Sequence, residues 1–175
     1  MNELGRISSE EFKKTPKIPV IVILDNIRSM NNVGSIFRTS DAFAVEKLYL
    51  CGITATPPHK DIAKTALGAT ESVDWEYAEN VVDLVHRLRN NNTKVYLIEQ
   101  TDHSVFLNQF QFSEEKIAIV FGNEVFGVNE DLLPICDGAI EIPQHGTKHS
   151  LNVTIAAGVV LWECLRKKHA DDAGF

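Results

Sequence analysis

The sequence predicts an α/β fold with a mainly parallel sheet flanked by helices, and three observations carry that prediction. Continuous apolar, β-branched runs such as Val20-Ile-Val-Ile-Leu24 suit strands buried on both faces. Segments with helical spacing alternate with those runs, as in Val33, Ile36, Phe37 and Phe43. Two glycine-rich turns each follow an apolar run, Gly122-Asn123-Glu124-Val125-Phe126-Gly127 after Ile117–Phe121 and Ile142–Val153 after Ala139–Ile142. Both turns are thereby placed at the carboxyl ends of strands, where open α/β sheets bind ligands.

Taken in order, the polar first residues, 1–17, read as an extension, and residues 18–175 as one domain. After the strand at Val20–Leu24, Asp25–Asn32 reads as a loop and Val33–Phe43 as a helix. Lys47–Cys51 is a second strand, stopped by Gly52, Pro57 and Pro58. Asp61–Leu67 reads as a short helix, Ala66–Ala69 as a turn and Val73–Tyr77 as a weaker strand. Val81, Val82, Leu84, Val85 and Leu88 lie along one side of a helix that Asn90-Asn91-Asn92 ends. Strands at Lys94–Ile98, Ile117–Phe121 and Ala139–Ile142 follow, with a short helix near Asn129–Leu133 between the last two. The final helix is expected over Leu151–Lys168, on a stripe through Val153, Ala156, Ala157, Val160, Leu161, Cys164 and Leu165, with Ser150 as its N-cap.

At 175 residues and 44% hydrophobic content the chain suffices for one sizeable core. It holds no run of eighteen apolar residues and no basic-then-apolar leader at Met1–Arg6, so a cytoplasmic protein without a membrane partner is expected. Cys51, Cys136 and Cys164 are odd in number and far apart, which reads as reduced thiols, mostly core, rather than a disulfide framework or zinc site. A net charge of -7 disfavours non-specific coating of nucleic acid, because that mode depends on Lys and Arg neutralising phosphates. Local recognition stays open, since Lys13, Lys14, Lys17, Arg28, Arg38 and Arg166–Lys168 form basic clusters. Each cluster alone reads equally as a solvated face.

Neither glycine turn is a common phosphate cradle. Gly122 and Gly127 have P-loop spacing, but Val128-Asn129 stands where Lys and Ser/Thr are required, and no GxGxxG follows the first strand. His145 and His149, four apart, lack a carboxylate-flanked zinc pattern, so no metal is expected and ligand contact or solvation in a loop is the better reading.

The combination of motifs is more specific than any one. Asn32-Val33-Gly34-Ser35-Ile36-Phe37-Arg38, then Gly122–Gly127, then Ile142-Pro143-Gln144-His145-Gly146 leading into Ser150-Leu151-Asn152-Val153, resembles in order and spacing the three signature motifs of the SpoU/TrmH branch of the SPOUT RNA methyltransferases. The resemblance covers about residues 20 to 168 and includes the Ala66-Leu67-Gly68-Ala69 turn. It implies an S-adenosylmethionine-dependent RNA 2'-O-ribose methyltransferase whose C-terminal part is tied in a deep trefoil knot, acting as a homodimer with an RNA groove across both subunits. By analogy, the motif-one and final helices supply much of the dimer contact.

Carried over by motif, the resemblance makes Arg38 the catalytic arginine, with Asn32 and Glu124 shaping the site and Ser150 and Asn152 arranging the arginine and the ribose. It gives Gly122, Ile142 and Leu151 to the cofactor, with Leu97, Glu99 and Val153 nearby. Read without the family, Arg38 is a surface ion-pairing residue, Glu124 a turn carboxylate and Asn152 a capping group. A neutral arginine near pH 7 costs about 7 kcal/mol or more, so Arg38 is expected to orient the hydroxyl and a phosphate rather than act as a simple base.

Gln144, Thr154, Leu97–Thr101 and Leu161-Trp162-Glu163 bring the chain closer to relatives that methylate a guanosine ribose in the tRNA D-loop. tRNA is therefore favoured over rRNA. An anticodon-loop or rRNA target, and a non-catalytic RNA-binding relative, remain open alternatives. A phosphate-ester hydrolase or a reductase would need a nucleophile–base pair or a dinucleotide fingerprint, and neither is found.

Overall fold

The computed structural model describes residues 7–112, 115–147 and 150–168. Its elements run α1 (Ser9–Lys14), β1 (Ile18–Asp25), α2 (Met30–Ala42), β2 (Val45–Cys51), α3 (Lys60–Ala66), α4 (Ala69–Ser72), β3 (Trp75–Ala78), α5 (Val81–Asn90), β4 (Lys94–Ile98), β5 (Val105–Phe106), β6 (Ile117–Phe121), a 3-10 turn (Glu130–Leu132), β7 (Gly138–Glu141) and α6 (Val153–Lys168). The seven strands form one sheet in the order β3-β2-β1-β6-β4-β7-β5, with every neighbouring pair parallel. The α/β expectation therefore holds, and all strand carboxyl ends share one rim.

Alternation along the strands divides the core into two layers. Val20, Val22, Leu24, Leu48, Leu50, Ile117, Ile119 and Phe121 meet α2 and α6 through Ile36, Phe37, Ala157 and Leu161. Ile21, Ile23, Val95, Leu97, Ala118 and Val120 meet α5 through Leu84, Val85 and Leu88. β1 and β6 are the most completely covered strands because they have partners on both edges and helices on both faces.

Several boundaries differ from the sequence reading, each for a local reason. α2 starts at Met30, so Met30–Asn32 is a first helical turn and not loop; the Ser29 hydroxyl caps it by accepting from Asn32 N–H at 3.3 Å. The turn at Leu67–Gly68 leads into the extra helix α4, and Val73 N–H closes that helix on Ala69 O, which delays β3 to Trp75. β5 has two half-exposed residues and no periodicity to betray it. The segment near Asn129–Leu133 is a 3-10 turn capped by Asn129. The final helix begins at Val153, and its cap is Asn152, not Ser150: Asn152 Oδ1 accepts from Thr154 N–H at 2.8 Å. Within the first 17 residues, α1 is held by a capping box between Ser8 and Glu11.

α2 and α3 pack closely at Gly34, where a Cβ would stand 2.3 Å from Ile62 O and 2.2 Å from the Thr65 hydroxyl. Cys51 and Cys164 are buried and Cys136 half-buried, all as free thiols. Burial pushes the Cys51 and Cys136 thiols up to about 12 and Cys164 higher still. No helix among the described residues is long and apolar enough to cross a membrane.

Candidate functional site

The sheet order reverses between β1, which connects onward to β2, and β6, which connects onward to β7 on the other side. Ligand crevices form where connections diverge in this way. A cleft of about 720 Å³ opens beside this point, lined by Ile98–Thr101 after β4, Phe121–Val128 after β6, Ile140–Ile142 at the end of β7, and Ser150–Val153 at the start of α6.

The first glycine turn is tightly built. Asn123 and Gly127 exchange backbone hydrogen bonds of 2.8 and 2.9 Å, and Asn123 Oδ1 accepts from Val125 and Phe126 N–H. A Cβ at Gly122 would lie 2.3 Å from Gly127 C and 2.4 Å from Val128 N, so no side chain fits between the crossing backbones. Gly127 supplies the left-handed φ of +74° that turns the chain back. Asn123 Nδ2 donates to Asn26 O at 2.7 Å, which fixes the turn to the end of β1.

Glu124 fastens that turn to the start of α2. Its carboxylate accepts from Arg28 N–H at 3.0 Å, Ser29 N–H at 3.2 Å and Asn32 Nδ2 at 2.9 Å. Partial burial works to raise its pKa, but those donors and its own N–H outweigh burial and hold it below the usual carboxylate range. Glu124 is thus an anion at a helix N-terminus. Glu99 plays a similar bracing part, accepting from Val128 N–H at 3.3 Å and Gln100 N–H at 3.0 Å. At the end of β1, Asp25 is almost fully buried; burial pushes its carboxyl up, against a lowering hydrogen bond from Asn129 N–H.

Glu99, Gly122, Glu124, Ile142, Ser150, Leu151, Asn152 and Val153 all line the cleft. Asn32 reaches it through Glu124. Leu97 does not line it: the side chain is buried in the α5 layer, because the last two residues of β4 alternate and leave the rim to Ile98 and Glu99. Arg38 is exposed on α2, outside the lining of its own chain. Asn152 contributes its side chain to the α6 cap, so its capping role is present beside any other. His149 lies outside the described residues, and His145 is exposed in the loop after β7. No cluster of three or more His, Cys, Asp or Glu side chains suited to a metal ion occurs among the described residues.

Sequence reasoning missed Glu130, which also lines the cleft, and gave no individual role to Val125 and Phe126 of the first glycine turn or to Gln100 and Thr101 of the Leu97–Thr101 segment, which line it too. Phe126 is 83% exposed and Val125 66%. Two large apolar residues inside a glycine-bounded turn were the available signal, since turns ordinarily carry polar residues.

The sequence profile of the SpoU rRNA Methylase family matches residues 19–162. A provisionally assigned TrmH family tRNA/rRNA methyltransferase of Staphylococcus aureus (strain MSSA476) is 29% identical over 160 residues, 91% of this chain and 64% of that protein. An uncharacterized tRNA/rRNA methyltransferase of Borreliella burgdorferi is 27% identical over 158 residues, 90% of this chain and 68% of that one. The chain thus spans a little under two thirds of the length of the Staphylococcus relative. Among solved structures, the A. aeolicus TrmH/SpoU tRNA modifying enzyme superposes with a TM-score of 0.83 at 27% identity, covering 93% of this chain and 82% of that one. The AdoMet-bound rRNA methyltransferase from Sinorhizobium meliloti gives 0.80 at 25% identity, covering 89% and 59%.

Proposed function

We propose, because the chain belongs to the SpoU rRNA methylase family, that it methylates a ribose 2'-hydroxyl of RNA with S-adenosylmethionine as donor, and that its RNA is a tRNA with a D-loop guanosine as target. The observation that supports this most is the convergence of Gly122, Glu124, Ile142 and Ser150–Val153, from two separate motifs, on one cleft at the carboxyl ends of the strands. The cleft's volume falls within the range of small-molecule pockets, about 300–1,000 Å³. The names of the Staphylococcus and Borreliella relatives point to tRNA or rRNA, that of the A. aeolicus enzyme to tRNA, and the Sinorhizobium structure holds AdoMet.

The donor, when bound, supplies an electrophilic sulfonium methyl. Gly122, Ile142, Leu151 and Val153 offer backbone and apolar surface to hold it, and Glu99 offers a carboxylate at the rim. Leu97 serves only by anchoring the strand that presents Glu99. Glu124, ionised by its three donors, keeps the first turn and the α2 N-terminus in register; Ser150 and Asn152 stand at the cleft's other wall. Positioning of this kind supplies much of the rate when two reactants must meet in line.

Arg38 orients the ribose hydroxyl and an adjacent phosphate by charge and hydrogen bonding. Since it stands outside the cleft of its own chain, the reading includes a homodimer whose RNA groove spans both subunits. Ile155, Val159 and Trp162, exposed at i, i+4 and i+7 on α6, supply an apolar stripe for that contact. A deep trefoil knot in the C-terminal part belongs to the same reading. In that part of the chain the β4–β5 connection lies against β7, where Gln100 Nε2 and the Ser104 hydroxyl donate to Glu141 at 2.6 and 2.8 Å.

Tritiated-methyl transfer to unmodified tRNA and rRNA, followed by mapping of the modified nucleotide, tests this directly. A 2'-O-methyl at a tRNA D-loop guanosine is expected, and label in a base overturns the reaction class. Arg38→Ala and Arg38→Lys are each expected to lower turnover by about a hundredfold or more, with donor affinity by calorimetry unchanged. Near-normal turnover in either variant removes Arg38 from the mechanism.

A further inference from the structure

The cations of this acidic chain are unevenly committed. Lys47 and Arg87 pair with Glu76, Arg89 with Asp137, Lys94 with Glu115, Lys116 with Glu46, and Arg166 and Lys167 with Glu163. Arg28, Arg38, Lys60 and Lys64 are all exposed, and, as with Lys13, Lys14 and Lys168 elsewhere, none of their side chains joins an ion pair or hydrogen bond among the described residues. All four belong to α2, its leading loop, or α3.

Contacts on that surface run continuously to the cleft. Thr65, next to Lys64, donates its hydroxyl to Asn31 O in the first turn of α2 at 2.9 Å, and α3 lies against α2 at Gly34. Three residues before Asn31, Arg28 N–H holds Glu124, which lines the cleft. The end of α3 carries a second irregularity. Leu67, its C-cap, is held at φ +50° and is 67% exposed. A leucine in the left-handed region is an unfavourable choice where Gly or Asn would serve, and most of its surface stays exposed there. Such outliers point from structure toward a functional constraint.

We propose that α3 and its Leu67–Gly68 cap form the RNA-backbone contact of this protein. Lys60 and Lys64 bind phosphates of the strand leading from the target nucleotide, and Leu67 packs against a base or ribose. The inference rests on the RNA reading above. With a net charge of -7 the chain as a whole repels RNA, so attraction depends on local cations, and this strip is the group of them that runs to the cleft.

The test measures binding of unmodified tRNA between roughly 50 and 200 mM salt, with donor affinity by calorimetry and thermal midpoint recorded for every variant. Lys60→Glu with Lys64→Glu is expected to weaken RNA binding about tenfold or more and to flatten the salt slope by about 1 to 2, leaving donor affinity and thermal midpoint unchanged. Leu67→Asn is expected to raise the thermal midpoint while weakening RNA binding roughly threefold or more. Lys94→Gln, at the opposite end of the sheet, is expected to leave RNA binding unchanged. If the wild-type protein binds RNA and the double variant matches it in affinity and slope, or if Lys94→Gln loses as much, the inference is overturned and the methyltransferase reading stands. If the wild-type protein binds the donor but no RNA, the RNA reading fails and takes this inference with it.

Discussion

The two glycine-rich turns at the strand ends look alike in sequence and are built differently. Residues 122–127 are closed by a reciprocal backbone pair, braced by Asn123 and Glu124, and packed so tightly that Gly122 admits no side chain. In residues 142–147 after β7, Pro143–Thr147 is exposed, and a Cβ at Gly146 would meet nothing within 4 Å. Glycine thus has two meanings here: a steric necessity in one turn, and open backbone in the other. The first wall of the cleft is preformed, and the second leaves its backbone open to a ligand.

Four substitutions sharpen or break that contrast. Gly122→Ala has the largest expected effect, because the added methyl must displace backbone at Gly127 and Val128; a loss of about 1–3 kcal/mol in stability is expected, together with loss of donor binding by calorimetry. An alanine variant that unfolds and binds like the wild type would make the two turns equivalent.

Glu124→Gln comes next, at roughly 1 kcal/mol in denaturant unfolding near pH 7 after allowance for its exposure. The sign of its pH dependence follows from the lowered carboxyl. Its contribution is fully present above the unfolded carboxylate range and fades as pH falls through the lower folded value. The wild type and Glu124→Gln therefore converge in acid, and a gap that widens there contradicts the clamp. Asn152→Ala, which removes the α6 cap, is expected to cost about 1 kcal/mol in the same assay. Gly146→Ala should change stability by less than about 0.5 kcal/mol, and a larger loss would show that the second turn is as constrained as the first.

What could be read in advance depended on how strongly burial imposes a pattern. β1 and β6 are apolar at nearly every position because both faces are covered, and they were plain in the sequence. β5 was invisible because two half-exposed residues at the sheet edge carry no pattern. The α2 start was misplaced because Met30-Asn31-Asn32 looks like loop until Ser29 is recognised as its cap. At the site, motif spacing gathered Gly122, Glu124, Ile142 and Ser150–Val153 about one cleft. It gave no warning that Leu97 points into the core, since a single position at a strand end can face either layer. The distance of Arg38 from that cleft depends on how α2 is docked, which no local pattern encodes.

The placement of β6 has a consequence for how the chain acquires its structure. Both of its neighbours, β1 and β4, precede it in the sequence, so neither can gain its β6 edge until Ile117–Phe121 is present between them. The middle of the sheet is therefore completed only after β1–β5 have been made, with β1 and β4 each lacking one partner until then. Long-range parallel pairing of this kind is slow and aggregation-exposed, and the ribosome-bound fragment ending before Ile117 is the stage at which this protein most needs shielding.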